Sequence, residues 1–155
     1  MTFNCEEQLS GVAELNFYLL EETANWPIIV SDANSGQIVF SPSVHSVDAA
    51  IKPDSIAIVS NKANKPSGLV HQISVKMEFL TRSEALEQLL EQYEKKPGVV
   101  VAKFNNEFQK IYGSDIEPLY LNYEDVPGTK IDGDGATIIE IKGETSKRPV
   151  FYTVL

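Results

Sequence analysis

Two stretches of the chain alternate apolar and polar residues, which is the pattern of a β-strand with one buried face. The longer stretch covers residues 70–80, and its predicted buried face consists of His71, Ile73, Val75, Met77 and Phe79. The other covers residues 11–20, where Ala13, Leu15, Phe17 and Leu19 share a face. Shorter apolar segments predict further strands at 28–30, 37–40, 56–59, 99–104, 108–112, 119–123, 137–142 and 150–154.

A helical pattern interrupts the strands between residues 81 and 98. Its apolar stripe recurs at helical spacing and consists of Ala85, Leu86, Leu89, Leu90 and Tyr93. Residues 81–84 match a capping box, in which the Thr81 hydroxyl accepts a hydrogen bond from the amide of Glu84. Pro97 and Gly98 are typical of the end of a helix. Since no second helical pattern is present, we expect this helix to cover a sheet.

Together the elements predict a mainly β fold of the α+β class, a β-sandwich or barrel with one amphipathic helix packed on it. The 155 residues fit a single domain, 1–155, because no repeat or internal boundary interrupts them. Within this domain we expect residues 1–10 to form a flexible arm. Residues 41–68 are predicted to be an irregular loop region, since Pro42, Pro53 and Pro66 interrupt them.

The distribution of charge is uneven along the chain. The formal net charge is -9, which argues against specific nucleic-acid binding because phosphates require clustered Lys and Arg. Residues 1–51 contain seven acidic residues and no Lys or Arg. The acids either keep the protein soluble by self-repulsion or face a basic partner.

The composition also bears on the cellular compartment. Cys5 is the only cysteine, so an internal disulfide is excluded and a reducing compartment is favoured. The sequence shows no secretion signal and no apolar run long enough to span a bilayer. We therefore expect a protein that is cytoplasmic and does not bind membranes.

The candidates for chemistry are few, and each has a simpler explanation. Residues 132–135, Asp-Gly-Asp-Gly, resemble the start of a calcium loop, but Ala136, Thr137 and Gly143 stand where ligands or the loop glycine are needed. A tight turn explains this segment better. His45 and His71 form no metal-binding pair, and Ser67 lacks the setting of a serine nucleophile.

The remaining candidates for a reactive or binding site have even less support from the sequence. Cys5 has no neighbouring cation to activate it. The aromatic residues of the second half are not accompanied by a basic groove, so they indicate packing rather than base stacking: Phe108, Tyr112, Tyr120, Tyr123, Phe151 and Tyr152. We therefore predict no catalytic, cofactor-binding or metal-binding residue, no cofactor and no enzymatic activity.

The second half of the chain has a familiar order of elements. The strand at 71–79 and the helix are followed by 96–101, Asn105-Asn106-Glu107, Tyr112-Gly113-Ser114, Glu117-Pro118-Leu119, Gly128, 132–135 and 148–152. This order resembles the tail-tube and related structural proteins of tailed phages and prophages. The resemblance implies a non-enzymatic protein that assembles into rings, possible partners being further copies in a hexamer and other tail proteins. It also implies a final location in the virion.

Two further hypotheses stay open at the level of sequence. One is an acidic, monomeric binding module, such as an immunity-type protein whose residues 1–51 neutralise a basic partner. The other is an enzyme, which is disfavoured because no nucleophile–base pair or metal cluster is visible. The oligomeric state separates the first of these from a ring-forming protein.

Overall fold

A computed structural model describes residues 1–4, 11–42, 45–47, 55–80, 83–105, 108–126 and 136–153. As predicted, the fold is mainly β, with a large and mostly antiparallel sheet and one α-helix among the described residues. The helix, α1, spans Glu84–Tyr93. Short 3-10 turns span Leu20–Glu22 and Ser35–Gln37.

The strands in chain order are β1 (Thr2–Asn4), β2 (Val12–Leu19), β3 (Thr23–Ala24), β4 (Val39–Phe40), β5 (Ser46–Val47), β6 (Ala57–Lys65), β7 (Gly68–Phe79), β8 (Pro97–Phe104), β9 (Gln109–Tyr112), β10 (Leu119–Val126), β11 (Ala136–Thr145) and β12 (Val150–Phe151). The main sheet has the order β5-β1-β2-β8-β10-β11-β7-β6. Its strand pairs are antiparallel apart from β1 and β5, which are parallel.

The sheet divides at β8. One edge of β8 pairs with β2, and the opposite edge pairs with β10 at Pro97 and Gly98 and with β9 at residues 100–103. Strand β9 in turn pairs with β12. Because β8 lies between these neighbours, residues 98–102 are buried on both of its faces. The unbroken apolar run at 99–102 is the sequence signal of such a strand.

The main core lies inside the curve of this sheet. The rings of Phe3 in β1 and Phe79 in β7 stack with their centroids 5.8 Å apart, although their strands are far apart in the sheet order. The sheet must therefore bend back on itself like an open barrel. Helix α1 packs into the core through Leu86, Leu90 and Tyr93, and Tyr93 meets Phe17 edge to face.

A smaller core covers the outer face of β8 and β9. Ile38, Val101 and Ile111 are buried there. The segment that covers them includes the β3–β4 hairpin and contributes Trp26, Val30 and Phe40. The sequence pattern indicates buried residues here but not that they belong to a second cluster.

The described part of the predicted arm at 1–10 is a strand, so this prediction is wrong for residues 1–4. Strand β1 pairs with both β2 and β5, and the side chains of Met1 and Phe3 are fully buried. Apolar side chains at these positions fill the core beside Phe79. Residues 5–10, including Cys5, lie outside the described residues.

The predicted irregular region at 41–68 is also wrong in its second part. Strand β6 extends to Lys65, and residues 66–67 form the turn to β7. The polar sequence of β6 hides this strand, because its residues are stabilised by backbone pairing with β7 rather than by burial. The predicted strand at 56–59 is only the apolar start of this longer element.

The helix begins and ends at residues different from those predicted. Ser83 is the N-cap, and its hydroxyl accepts a hydrogen bond from the amide of Leu86 at 3.2 Å. The predicted capping box is therefore wrong as the cap of α1, because Ser83 holds that position and Leu86 stands three residues after it. Thr81 and Arg82 lie outside the described residues. At the other end, Lys95 adopts a left-handed φ of 63°, and Pro97 and Gly98 already belong to β8.

Two further predictions fail for local reasons. A bulge in β2 between Val12 and Glu14 adds one residue, so Val12 joins the core in place of Ala13. Residues 28–30 are not a strand, and Ile28 and Ile29 are exposed. The hairpin near this point instead pairs Thr23 and Ala24 with Val39 and Phe40.

Candidate functional site: an open four-stranded sheet

Four antiparallel strands, β6-β7-β11-β10, form a continuous β surface in the described part of the chain. Their pairing is continuous, from Ile58 opposite Val75, through Val75 opposite Ile141, to Ile141 opposite Leu121. These four side chains point towards the main core. Because side chains alternate along a strand, the neighbouring positions form the opposite face.

That opposite face, called here the open face, is polar and largely exposed. One row across the strands contains Tyr120, Lys142, Ser74 and Val59, and the next contains Asn122, Glu140, Lys76 and Ala57. A shallow depression of about 490 Å³ lies on it and is bordered by Gln72 and Glu144. No described element covers the open face, so its polar side chains face solvent.

Charges of both signs meet on the open face. The Lys142 ammonium lies 2.8 Å from a carboxylate oxygen of Glu140, and the Lys65 ammonium lies 2.5 Å from one of Glu144. The hydrogen bond from Lys65 is the main reason that the pKa of Glu144 lies below its usual value. Both pairs are exposed, so we expect each to contribute little to stability.

One side of this four-stranded region is unpaired along β6, and the other is unpaired along part of β10. On the side of β6 away from β7, no described strand is paired, although β6 is nine residues long. On the side of β10 away from β11, pairing with β8 involves Leu119 and Tyr120, and a single bridge joins Leu121 to Glu94. Among the described residues, 122–126 have no strand partner on that side. Unpaired strand edges are templates for pairing with another chain.

A second feature, missed at the level of sequence, is a cleft of about 330 Å³ beside the end of α1. Glu21, Glu22, His45 and Tyr93 are among its lining residues, and Lys96 lies there too. The rings of His45 and Tyr93 meet at right angles with centroids 6.1 Å apart. Burial raises the pKa of Tyr93, and the charges of Glu22 and Glu21 raise it further. Both carboxylates therefore act on the aromatic wall of this cleft, which we call the acidic cleft.

The candidate site residues named from the sequence lie in different parts of the fold. His71 is buried on the core face of β7 and lies opposite Thr145, whereas His45 lines the acidic cleft. Ser67 lies in the tight turn between β6 and β7. The described residues contain no group of three or more His, Cys, Asp or Glu side chains placed to hold a metal ion. Residues 132–135 lie outside the described part of the chain.

No protein-family model matches the chain, and comparison with curated proteins and with solved structures found no match either. The functional argument therefore depends on the open sheet and the acidic cleft. In the described ranges, no helix has the length and apolar character needed to cross a membrane.

The acids of residues 1–51 occupy different places in the fold. Glu21 and Glu22 line the acidic cleft, whereas Asp32 pairs with Arg148, the closest atoms being 2.7 Å apart. Glu14 accepts a hydrogen bond from the side-chain amide of Asn16. Glu6, Glu7 and Asp48 lie outside the described residues.

The aromatic residues of the second half serve packing where the structure describes them. Phe108 stacks on Phe104 with centroids 4.7 Å apart and meets Phe151 edge to face. The ammonium of Lys110 lies 4.8 Å from the ring centroid of Phe151. Tyr112 is 5% exposed, and burial raises its pKa to about 12. These contacts join β9 to β12 and to the end of β8.

Proposed function

We propose that the chain is a non-enzymatic structural protein that assembles with copies of itself into a ring, as the subunits of phage and prophage tail tubes do. The observation that carries this proposal is the β6-β7-β11-β10 part of the sheet, which has one solvent-facing surface and two edges, β6 and residues 122–126 of β10, without a described strand partner. An unpaired strand edge is a template for pairing with another chain. Pairing between copies would satisfy their exposed backbone groups.

The number of strands is compatible with a closed ring. Successive strands in the sheet run in opposite directions, so β6 and β10 at the two sides are antiparallel to each other. If copies are related by rotation about an axis along the strands, β10 of one copy meets β6 of the next in antiparallel orientation. An even number of strands per copy thus keeps the alternation throughout a barrel of any size.

The open face would line such a ring. Its lysines, Lys65, Lys76 and Lys142, are nearly balanced by acids of the same face, which are Glu78, Glu124, Glu140 and Glu144. A polar surface with no excess of positive charge can contact water and does not retain nucleic-acid phosphates. This property suits a channel through which DNA passes.

The geometry of the hairpin allows a direct test of edge pairing. A two-residue turn separates Lys65 from Gly68, which makes these residues a hydrogen-bonded pair. Counting back along β6 in steps of two, the backbone N–H of Asn61 points towards β7, whereas that of Ser60 points towards the open edge. Ser60→Pro therefore removes a donor from the edge and leaves the pairing with β7 intact.

The experiment is multi-angle light scattering over a wide concentration range, with circular dichroism to check folding. We expect rings or longer polymers for the wild type and for the control Ser60→Thr, which keeps the N–H. Ser60→Pro should remain folded and assemble at least about tenfold less tightly, the effect of losing about 1.4 kcal/mol. A wild type that remains monomeric at every concentration would contradict the proposal.

A monomeric module that binds a basic partner is the second candidate. Helix α1 contains Glu84, Glu87 and Glu91, and Glu94 follows as its C-cap. Desolvation and the charges of Glu91, Glu94 and Glu87 raise the pKa of Tyr123, so three of these acids act on one neighbouring side chain. Monomeric wild type that captures a basic protein in a salt-sensitive manner would favour this candidate.

A further inference from the structure

The acidic cleft is suited to a cationic side chain. Its two carboxylates, on Glu21 and Glu22, form no salt bridge with a described residue, while Lys96 also lines the cleft and the Met1 ammonium interacts electrostatically with Glu22. Its volume of about 330 Å³ leaves room for a long side chain. The faces of aromatic rings such as Tyr93 also attract cations.

The β6–β7 hairpin has the opposite charge. From residue 55 to residue 77 the chain contains Lys62, Lys65 and Lys76 and no Asp or Glu. Lys65 pairs with Glu144, but Lys62 is exposed and forms no salt bridge with a described residue. Residues 64–69 at the end of the hairpin are exposed as well. The hairpin therefore presents a cation on a well-defined backbone.

The register of the sheet keeps this hairpin away from the acidic cleft of the same chain. Glu94, next to Tyr93, bridges to Leu121, which lies opposite Ile141, and Ile141 lies opposite Val75. Lys62 lies opposite His71, four residues further along β7 from Val75. At about 3.3 Å per residue, this separation is roughly 13 Å along the strand, and β7, β11 and β10 lie between Lys62 and Glu94 across the sheet. The hairpin is thus placed to reach another molecule.

We propose that the end of the β6–β7 hairpin of one copy docks into the acidic cleft of another copy, where Lys62 faces Glu21 and Glu22. This inference rests on the proposed self-assembly and adds to it a second contact, between the hairpin and α1, besides the pairing of strand edges. The contact is heterologous, because two different surfaces of the same chain meet. Contacts of this type continue from copy to copy.

A charge exchange tests the proposal with the full chain. Four proteins are compared: the wild type, Lys62→Glu, the double variant Glu21→Lys/Glu22→Lys, and the variant that combines all three changes. Their assembly is measured by light scattering at about 0.1 M and about 1 M salt, between which the screening length falls from about 10 Å to about 3 Å. Lys147→Glu and Asp115→Lys are matched controls, since both residues are exposed and lie outside the hairpin and the cleft.

We expect Lys62→Glu and the double variant each to assemble at least about tenfold less tightly than the wild type at low salt, because like charges then meet. The combined variant should recover assembly, and high salt should reduce all differences. The controls should behave like the wild type. If the wild type assembles and all charge variants assemble equally well, the docking is wrong and the ring proposal stands. A combined variant no better than its parents would also overturn the docking, and a strictly monomeric wild type would overturn both.

Discussion

The Ser35 hydroxyl donates a hydrogen bond of 2.7 Å to the backbone carbonyl of Phe151, which follows it by 116 residues. Ser35 has no exposed surface. Its hydroxyl oxygen also accepts from the backbone N–H of Thr153 at 3.4 Å. One small side chain thus occupies the edge of β12 and fastens the end of the described chain to the turn before β4.

Replacing Ser35 by Ala should therefore destabilise the protein. The change leaves the carbonyl of Phe151 and the amide of Thr153 without this partner, and we expect a loss of about 1–3 kcal/mol. Urea unfolding followed by circular dichroism measures the loss. Ser67→Ala, at an exposed turn position, is the control and should change stability by less than about 0.5 kcal/mol. Equal effects of the two changes would show that the Ser35 contact is unimportant.

Asp32 fastens the same region through its charge. It accepts hydrogen bonds from the Arg148 guanidinium and from the Phe151 amide, and these bonds lower the pKa of its carboxyl. The pKa of Asp32 is lower in the folded state than in the unfolded state, so its charge stabilises the folded protein at pH values above the unfolded pKa. This stabilisation is lost as the pH falls through the folded pKa.

Asp32→Asn should accordingly melt at a lower temperature than the wild type at pH 7. The difference should decrease as the pH falls below the ordinary pKa of 3.8 for an aspartate carboxyl and then through the lower pKa of the folded state. Calorimetry at a series of pH values measures this difference. A gap in Tm that does not depend on pH would mean that the charge of Asp32 is not responsible.

The buried side chain of Tyr112 should make the stability of the protein sensitive to alkaline pH. Burial raises its pKa from 10.0 to about 12, so the folded state retains a proton that the unfolded state releases. The contribution of Tyr112 to stability is fully present below pH 10 and is lost as the pH rises from 10 towards 12. Tyr112→Phe removes this titration, and its stability should fall less steeply over that range. Denaturant unfolding at pH 8 to 12 tests this, and parallel curves for the two proteins would contradict it.

The identity of the helix cap can be tested at Ser83. Its side chain accepts from the Leu86 amide, so Ser83→Ala should cost about 1 kcal/mol. Ser83→Asn keeps a capping oxygen and should be close to neutral. Urea unfolding of both variants provides the comparison, and equal losses would indicate that residue 83 does not cap α1.

Much of the local structure follows from the sequence. The alternation in β7, the continuous apolar run in β8 and the stripe of Leu86, Leu90 and Tyr93 each reflect burial on a regular element. Their side chains are selected by which face meets the core, and that selection is visible as periodicity. For the same reason the mainly β fold with a packed helix could be predicted.

The tertiary structure decided the rest. Strand β6 is polar and depends on pairing with β7, and β1 depends on β2 and β5, so neither shows a pattern of its own. The open edges and the acidic cleft combine residues far apart in the chain, such as Glu21 with Tyr93. The periodicity of a segment shows which face of that one strand or helix is buried. The open edges and the acidic cleft depend instead on how the sheet bends and on which strands become neighbours.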